Sequence, residues 1–133
     1  MFKITYKELR SQSFINAMSK VANCTEYDHK TAYNIMRLSK MLEKSITESQ
    51  KEWILLANGL IKKDEKGNFK ITEKGFDFLD DINADEAKKK IEEYMDKALI
   101  IERHKIDPEK IHVAKLSPAD YAALSPVLKE VDP

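Results

Sequence analysis

One stretch constrains the fold more than any other. Between Asp28 and Ile61, apolar and small residues fall at Ala32, Ile35, Ser39, Leu42, Ile46, Ser49, Trp53, Leu56 and Leu60, three or four apart throughout. That rhythm belongs to a helix lying against another helix. Neither glycine nor proline interrupts it before Gly59, so it predicts one helix over 29–59. At 1.5 Å per residue this would be a rod roughly 45–50 Å long, longer than a domain of this size is wide. Such a rod needs partners along its length. Leu38, Met41, Ile54 and Leu55 widen the apolar stripe and predict packing on two sides. Ser39 and Ser49 are small enough to mark close crossings. Trp53 is the largest anchor, a core residue if buried and an interface hot spot if partly exposed. The interface candidates are therefore Ile35, Ser39, Leu42, Ile46, Ser49, Trp53 and Leu56.

Composition narrows the function classes. The chain has 133 residues, of which 42% are hydrophobic and 35% charged, enough for one domain, 1–133, with a modest core. Lys plus Arg (23) equals Asp plus Glu (23); with no overall field, the balance argues against nucleic acid and against a charged membrane surface as partners. Cys24 is the one cysteine, which fits a reducing compartment. No apolar run is long enough to span a bilayer, and the start Met1-Phe2-Lys3-Ile4-Thr5 has no long apolar core, so a soluble intracellular protein is expected. Few glycines and prolines favour helices over a sandwich of short strands.

Along the chain, Thr5 and Glu8 have the spacing of a capping box, opening a helix over 6–22 with a stripe of Leu9, Phe14, Ile15, Met18 and Ala22. Turn formers from Asn23 to Asp28 precede the rod, and Thr25 or Asp28 is its expected cap. Tyr27 and His29 lie at this corner, where a lone histidine reads as a surface residue and not as a ligand or general base. After Gly59, alternating residues flank Asp64-Glu65-Lys66-Gly67-Asn68 and predict a β-hairpin over 60–72. Thr72 is placed to cap a helix over 73–82 carrying Phe76, Phe78, Leu79 and Ile82. Asn83 and Glu86 open a helix over 84–102, whose Ala87, Ile91, Tyr94, Ala98 and Ile101 make it the expected antiparallel partner of the rod. The basic run Lys88-Lys89-Lys90 is ringed by Glu86, Glu92 and Glu93. Asp107-Pro108 stops that helix, Lys110–Val113 alternates like a short strand, and Ser117-Pro118-Ala119-Asp120 starts a last helix over 118–130. The fold class is mainly α: a long antiparallel helical hairpin with a small β-hairpin and a short C-terminal strand and helix.

Two likenesses emerge from particular residues. Gly59-Leu60-Ile61 through Thr72-Glu73-Lys74-Gly75 resembles the wing of winged-helix DNA-binding domains, and implies that Lys62, Lys63, Lys66 and Lys70 would meet phosphates. Over nearly the whole chain, Tyr6-Lys7-Glu8-Leu9, Lys30-Thr31-Ala32-Tyr33-Asn34-Ile35, Lys63-Asp64-Glu65-Lys66-Gly67-Asn68 and Leu116-Ser117-Pro118-Ala119-Asp120 resemble small, mostly uncharacterised helical-hairpin proteins encoded by tailed bacteriophages and prophages. The pattern departs between Lys70 and Phe78. That resemblance implies a phage origin and a location in the host cytoplasm or the virion, and it carries no catalytic residues across.

Three function classes follow. The leading expectation is a non-enzymatic phage structural or assembly protein that docks on other virion or assembly proteins or on copies of itself. The others are a winged-helix regulator and a phage-made inhibitor of a host protein. An enzyme ranks last, because the chain shows no glycine-rich phosphate loop and no paired histidine and cysteine. His104 and His112 lack the spacing of zinc ligands, so neither a metal nor another cofactor is expected.

Overall fold

The computed structural model describes residues 1–130. The chain begins with β1 (Phe2–Thr5) and passes directly into α1 (Tyr6–Arg10). Thr5 and Glu8 form the expected capping box: the Glu8 amide donates to the Thr5 hydroxyl at 3.1 Å and the Thr5 amide to the Glu8 carboxylate at 2.9 Å. The single helix expected over 6–22 is two. Ser11 is extended (ψ 129°) and separates α1 from α2 (Gln12–Asn23), consistent with serine's preference for caps and turns over helix interiors. The break shifts the buried stripe to Leu9, Phe14, Ala17, Met18 and Val21, leaving Ile15 exposed.

The rod is unbroken. α3 (His29–Asn58) runs for 30 residues, with the Asp28 carboxylate accepting the Thr31 amide at its start. Gly59 follows as its C-cap, and the Leu60 and Ile61 amides both donate to the Ala57 carbonyl. Its inner face serves two clusters. Ile35, Leu38 and Leu42 pack with Phe2, Ile4, Leu9, Phe14, Val21, Ile101, Ile111 and Leu124. Trp53 and Ala57 pack with Tyr6, Leu60, Ile61, Ala87 and Ile91.

Residues 60–78 depart from expectation. The 60–72 hairpin forms, with Lys63 opposite Phe69 and Gly67 at φ 81° in its turn. No helix forms over 73–82. Thr72 donates its hydroxyl to the Gly75 carbonyl at 2.9 Å and accepts the Lys74 amide, so it ties a turn instead of opening a helix. β2 (Ile71–Thr72) then pairs antiparallel with β3 (Gly75–Phe76). The Lys70 amide donates to Lys62, that of Asp77 to Lys70 and that of Lys62 to Asp77, which closes three short segments on one another. Gly75 makes the turn at φ 108°, a backbone region that L side chains rarely adopt. Gly75→Ala is expected to destabilise the protein by about 1–2 kcal/mol through backbone strain. Open space surrounds the position a Cβ would take, so a urea melt would report that strain without a clash.

α4 (Ala84–Met95) begins as expected, the Asn83 side chain accepting the amides of Asp85 and Glu86. It ends seven residues before the expected 102. Ala98–Ile101 become β4 instead, pairing antiparallel with β1 so that Phe2 faces Ile101 and Thr5 faces Ala98. The 12 residues of α4 span about 18 Å, too short to follow α3 along its length. α4 meets the C-terminal half of α3, where Tyr94 reaches Ser49 and Trp53; the N-terminal half packs with α2, the β1–β4 sheet and the C-terminal segment.

The strand expected at 110–113 is a 3-10 helix (Pro108–Ala114), capped by the Asp107 carboxylate on the Glu109 amide at 3.0 Å. The helix expected over 118–130 is α5 (Pro118–Ala123) followed by a 3-10 turn (Ser125–Val127). Pro126 has no amide hydrogen with which to continue the helix. The Ile106 amide donates to Val127 and the Lys129 amide to Ile106, each at 2.8 Å, sealing this segment under α2. Lys20 reaches Asp120 at 2.9 Å from α2.

The ionisable groups imply a bounded pH range of stability. The Lys20 ammonium and the Ser117 amide hold the Asp120 carboxyl below its usual value, and the Thr31 amide does the same for Asp28. Burial, then Cys24, pushes the Tyr27 hydroxyl up to about 12, and Asp80 raises Lys62. Depressed carboxyls stabilise above their unfolded pKa and lose that contribution as pH falls through the folded value; raised groups lose theirs as pH rises from the unfolded to the folded value. Thermal melts are expected to show a plateau that falls below about pH 4 and again above about pH 10. A melting temperature still rising at pH 11 would contradict the Tyr27 and Lys62 assignments.

Candidate functional site

The residues expected to face partners on α3 are turned inward. Ile35, Leu42, Ser49 and Trp53 are buried within this chain, while Ser39, Ile46 and Leu56 are half-buried. The Ser39 hydroxyl is enclosed without a hydrogen-bond partner among the described residues.

Trp53 anchors the most specific of these contacts. Its indole stacks on Tyr94 with ring centres 6.0 Å apart and meets Phe76 at 6.1 Å, while Tyr6 approaches Tyr94 edge-on at 5.1 Å. The Arg10 guanidinium lies 5.6 Å from the Tyr6 ring and 5.7 Å from the Trp53 ring, a cation–π arrangement. The Tyr94 hydroxyl donates to the Ser49 carbonyl. Burial raises the Tyr94 and Tyr6 pKa values above the ordinary phenol value. The group joins α1, α3, α4 and β3. Tyr6 and Trp53 are buried at its centre, Phe76 and Tyr94 are half-buried and Arg10 is exposed at its edge.

What α3 leaves outside is a different set. Tyr33 and Met36 stand exposed near its start, and Ile54 (43% exposed) and Leu55 (75%) near its end. Lys40, Glu43, Lys44, Thr47, Glu48 and Lys51 line the open surface between them. Leu38, from the second apolar set expected there, is buried and Met41 is half-buried.

The hairpin lysines are unequal. Lys62 contacts Asp80 at 2.8 Å and Asp77 at 3.8 Å, and Lys70 contacts Asp77 at 3.6 Å. Lys63 lies 5.8 Å from the Phe69 ring, and the Lys66 amide is held in the turn by Asp64. Two of the four charges expected to meet phosphate therefore face carboxylates of their own β unit.

A second concavity has little local signature in the sequence. A cleft of about 550 Å³ lies between the first turns of α3 and the Glu102–Asp107 segment, with Lys110 and Lys129 on its rim. Its cations come from four separated parts of the chain, and only the run Arg103-His104-Lys105 signals it locally. His112, outside the cleft, hydrogen-bonds through Nδ1 to the Glu109 carbonyl at 2.7 Å. Among the described residues no three histidine, cysteine or acidic side chains are grouped to hold a metal ion, and no helix is long and apolar enough to cross a membrane.

With this geometry in hand, comparison with protein families, curated proteins and solved structures finds no match.

Proposed function

We propose that this chain is a non-enzymatic bacteriophage structural or assembly protein that acts by contact with other virion or assembly proteins in the host cytoplasm or the particle. The observation that carries the reading is the pair Ile54 and Leu55, exposed on the unbroken helix α3 whose opposite face is buried. Exposed apolar side chains on a fixed scaffold suit recognition: the surface is ordered before a partner arrives, so little entropy is lost on docking. The inner seam contributes by fixing the rod, and the expectation that it would itself meet partners does not fit its burial. The phage setting rests on the sequence motifs alone.

The test has two parts. The chain should be found among proteins extracted from purified particles or captured with assembly intermediates. Ile54→Glu/Leu55→Glu should abolish that association while the melting temperature stays within a few degrees, because neither side chain belongs to the core. Association unchanged by the double variant would remove Ile54 and Leu55 as the contact. DNA binding at low salt that weakens steeply as salt is added would instead favour the winged-helix reading through Lys63 and Lys66, and capture of a single host protein from lysate would favour the inhibitor reading.

A further inference from the structure

We propose that the cleft between the first turns of α3 and the Glu102–Asp107 segment binds a small organic anion, one carrying two or more negative groups on an apolar body. The inference stands independently of the assembly reading. At about 550 Å³ the cleft falls within the range of about 300–1,000 Å³ typical of small-ligand sites. Five permanent cations line it: Lys30, Arg103, Lys105, Lys110 and Lys129. None makes an ion pair with another described residue; most surface lysines share that, and what sets these five apart is that they converge on one concavity.

Three acids, Asp28, Glu102 and Asp107, also line the cleft, so its five cations leave a net excess of two positive charges. Two of the three, Asp28 and Asp107, accept the backbone amides of Thr31 and Glu109 as helix caps, at 2.7 and 3.0 Å. Asp28 shares the field of Lys30 and Lys110, and Glu102 is exposed. Arg103 and Lys105 are half-buried residues of its lining, and neither has a counter-charge among the described residues. An incoming anion supplies that counter-charge through charge-assisted hydrogen bonds. Ile35, Leu38 and Ile106 form an apolar floor, which is why the ligand is an organic anion in preference to an inorganic one. Phosphate and carboxylate share the required chemistry.

Amide NMR of the whole chain, titrated separately with ATP and with isophthalate, tests this and separates phosphate from carboxylate. Saturable shifts confined to residues 28–38 and 102–110, with half-saturation at or below about 1 mM for either probe, are expected. Arg103→Ala/Lys105→Ala should weaken that binding by about tenfold or more. Lys110→Gln/Lys129→Gln changes only exposed side chains and provides a second pair should the first disturb folding. Linear shifts with both probes up to about 10 mM, shifts of equal size at Lys88–Lys90, or undiminished binding by a folded variant pair would overturn the proposal.

Discussion

Replacing Trp53 with alanine is expected to cost about 3–5 kcal/mol of folding stability, a large share of what a domain of this size has to lose. The indole is 7% exposed and makes the stack with Tyr94, the tilted contact with Phe76 and the seat for Arg10. Alanine leaves a cavity bounded by α1, α4 and the 60–78 unit, elements that are themselves short and depend on it for packing. Trp53 is the one tryptophan in the chain, so circular dichroism in urea, and not fluorescence, is the measurement to use. A loss under about 1 kcal/mol would place Trp53 among surface residues and remove the centre of the second core.

Leu42→Ala should cost about 2–5 kcal/mol, whereas Leu55→Ala should stay within about 0.5 kcal/mol of the parent. Both are leucines on the same helix, so propensity does not distinguish them. Leu42 is 3% exposed and packs in the first core, while Leu55 is 75% exposed. Equal losses in urea melts would contradict the inward orientation of the seam.

The contrast between these leucines also marks how much was legible in the sequence. The length of α3 was, because a three-and-four spacing sustained over 30 residues has one regular solution. The caps at Thr5, Asn83 and Ser117 were too, and Asp28 was one of two candidates with Thr25, since each acts within a few residues of its own position. Illegible was anything decided by distant pairing. Ala98 and Ile101 continue the helical spacing of α4, but Ala98–Ile101 is also a run that suits a strand, and pairing with Phe2–Thr5 at the other end of the chain takes it. That pairing shortens α4 and hands half of the rod to other partners. At Thr72 the local signal was ambiguous: a threonine before a short run caps a helix or ties a turn, and Gly75 with its positive φ decides for the turn. The exposed apolar pair was within the stripe already noted, yet its orientation followed only once the packing was known. The cationic cleft was least visible, because it assembles residues from Lys30 to Lys129 that no local pattern connects.

Two cores strung on one helix make a specific mechanical claim. The residues between Leu42 and Ser49 must transmit order from one cluster to the other, with Ile46 the half-buried apolar residue between them. Native-state amide hydrogen exchange measures this directly, because a helix stabilised along its inner face opens only with the free energy of its core. Protection should run without a gap through the interior of α3, from Ala32 to Asn58, and should not change when the protein is diluted tenfold. Fast exchange confined to the middle of α3, or protection that vanishes on dilution, would show that the rod depends on a partner and not on its own chain.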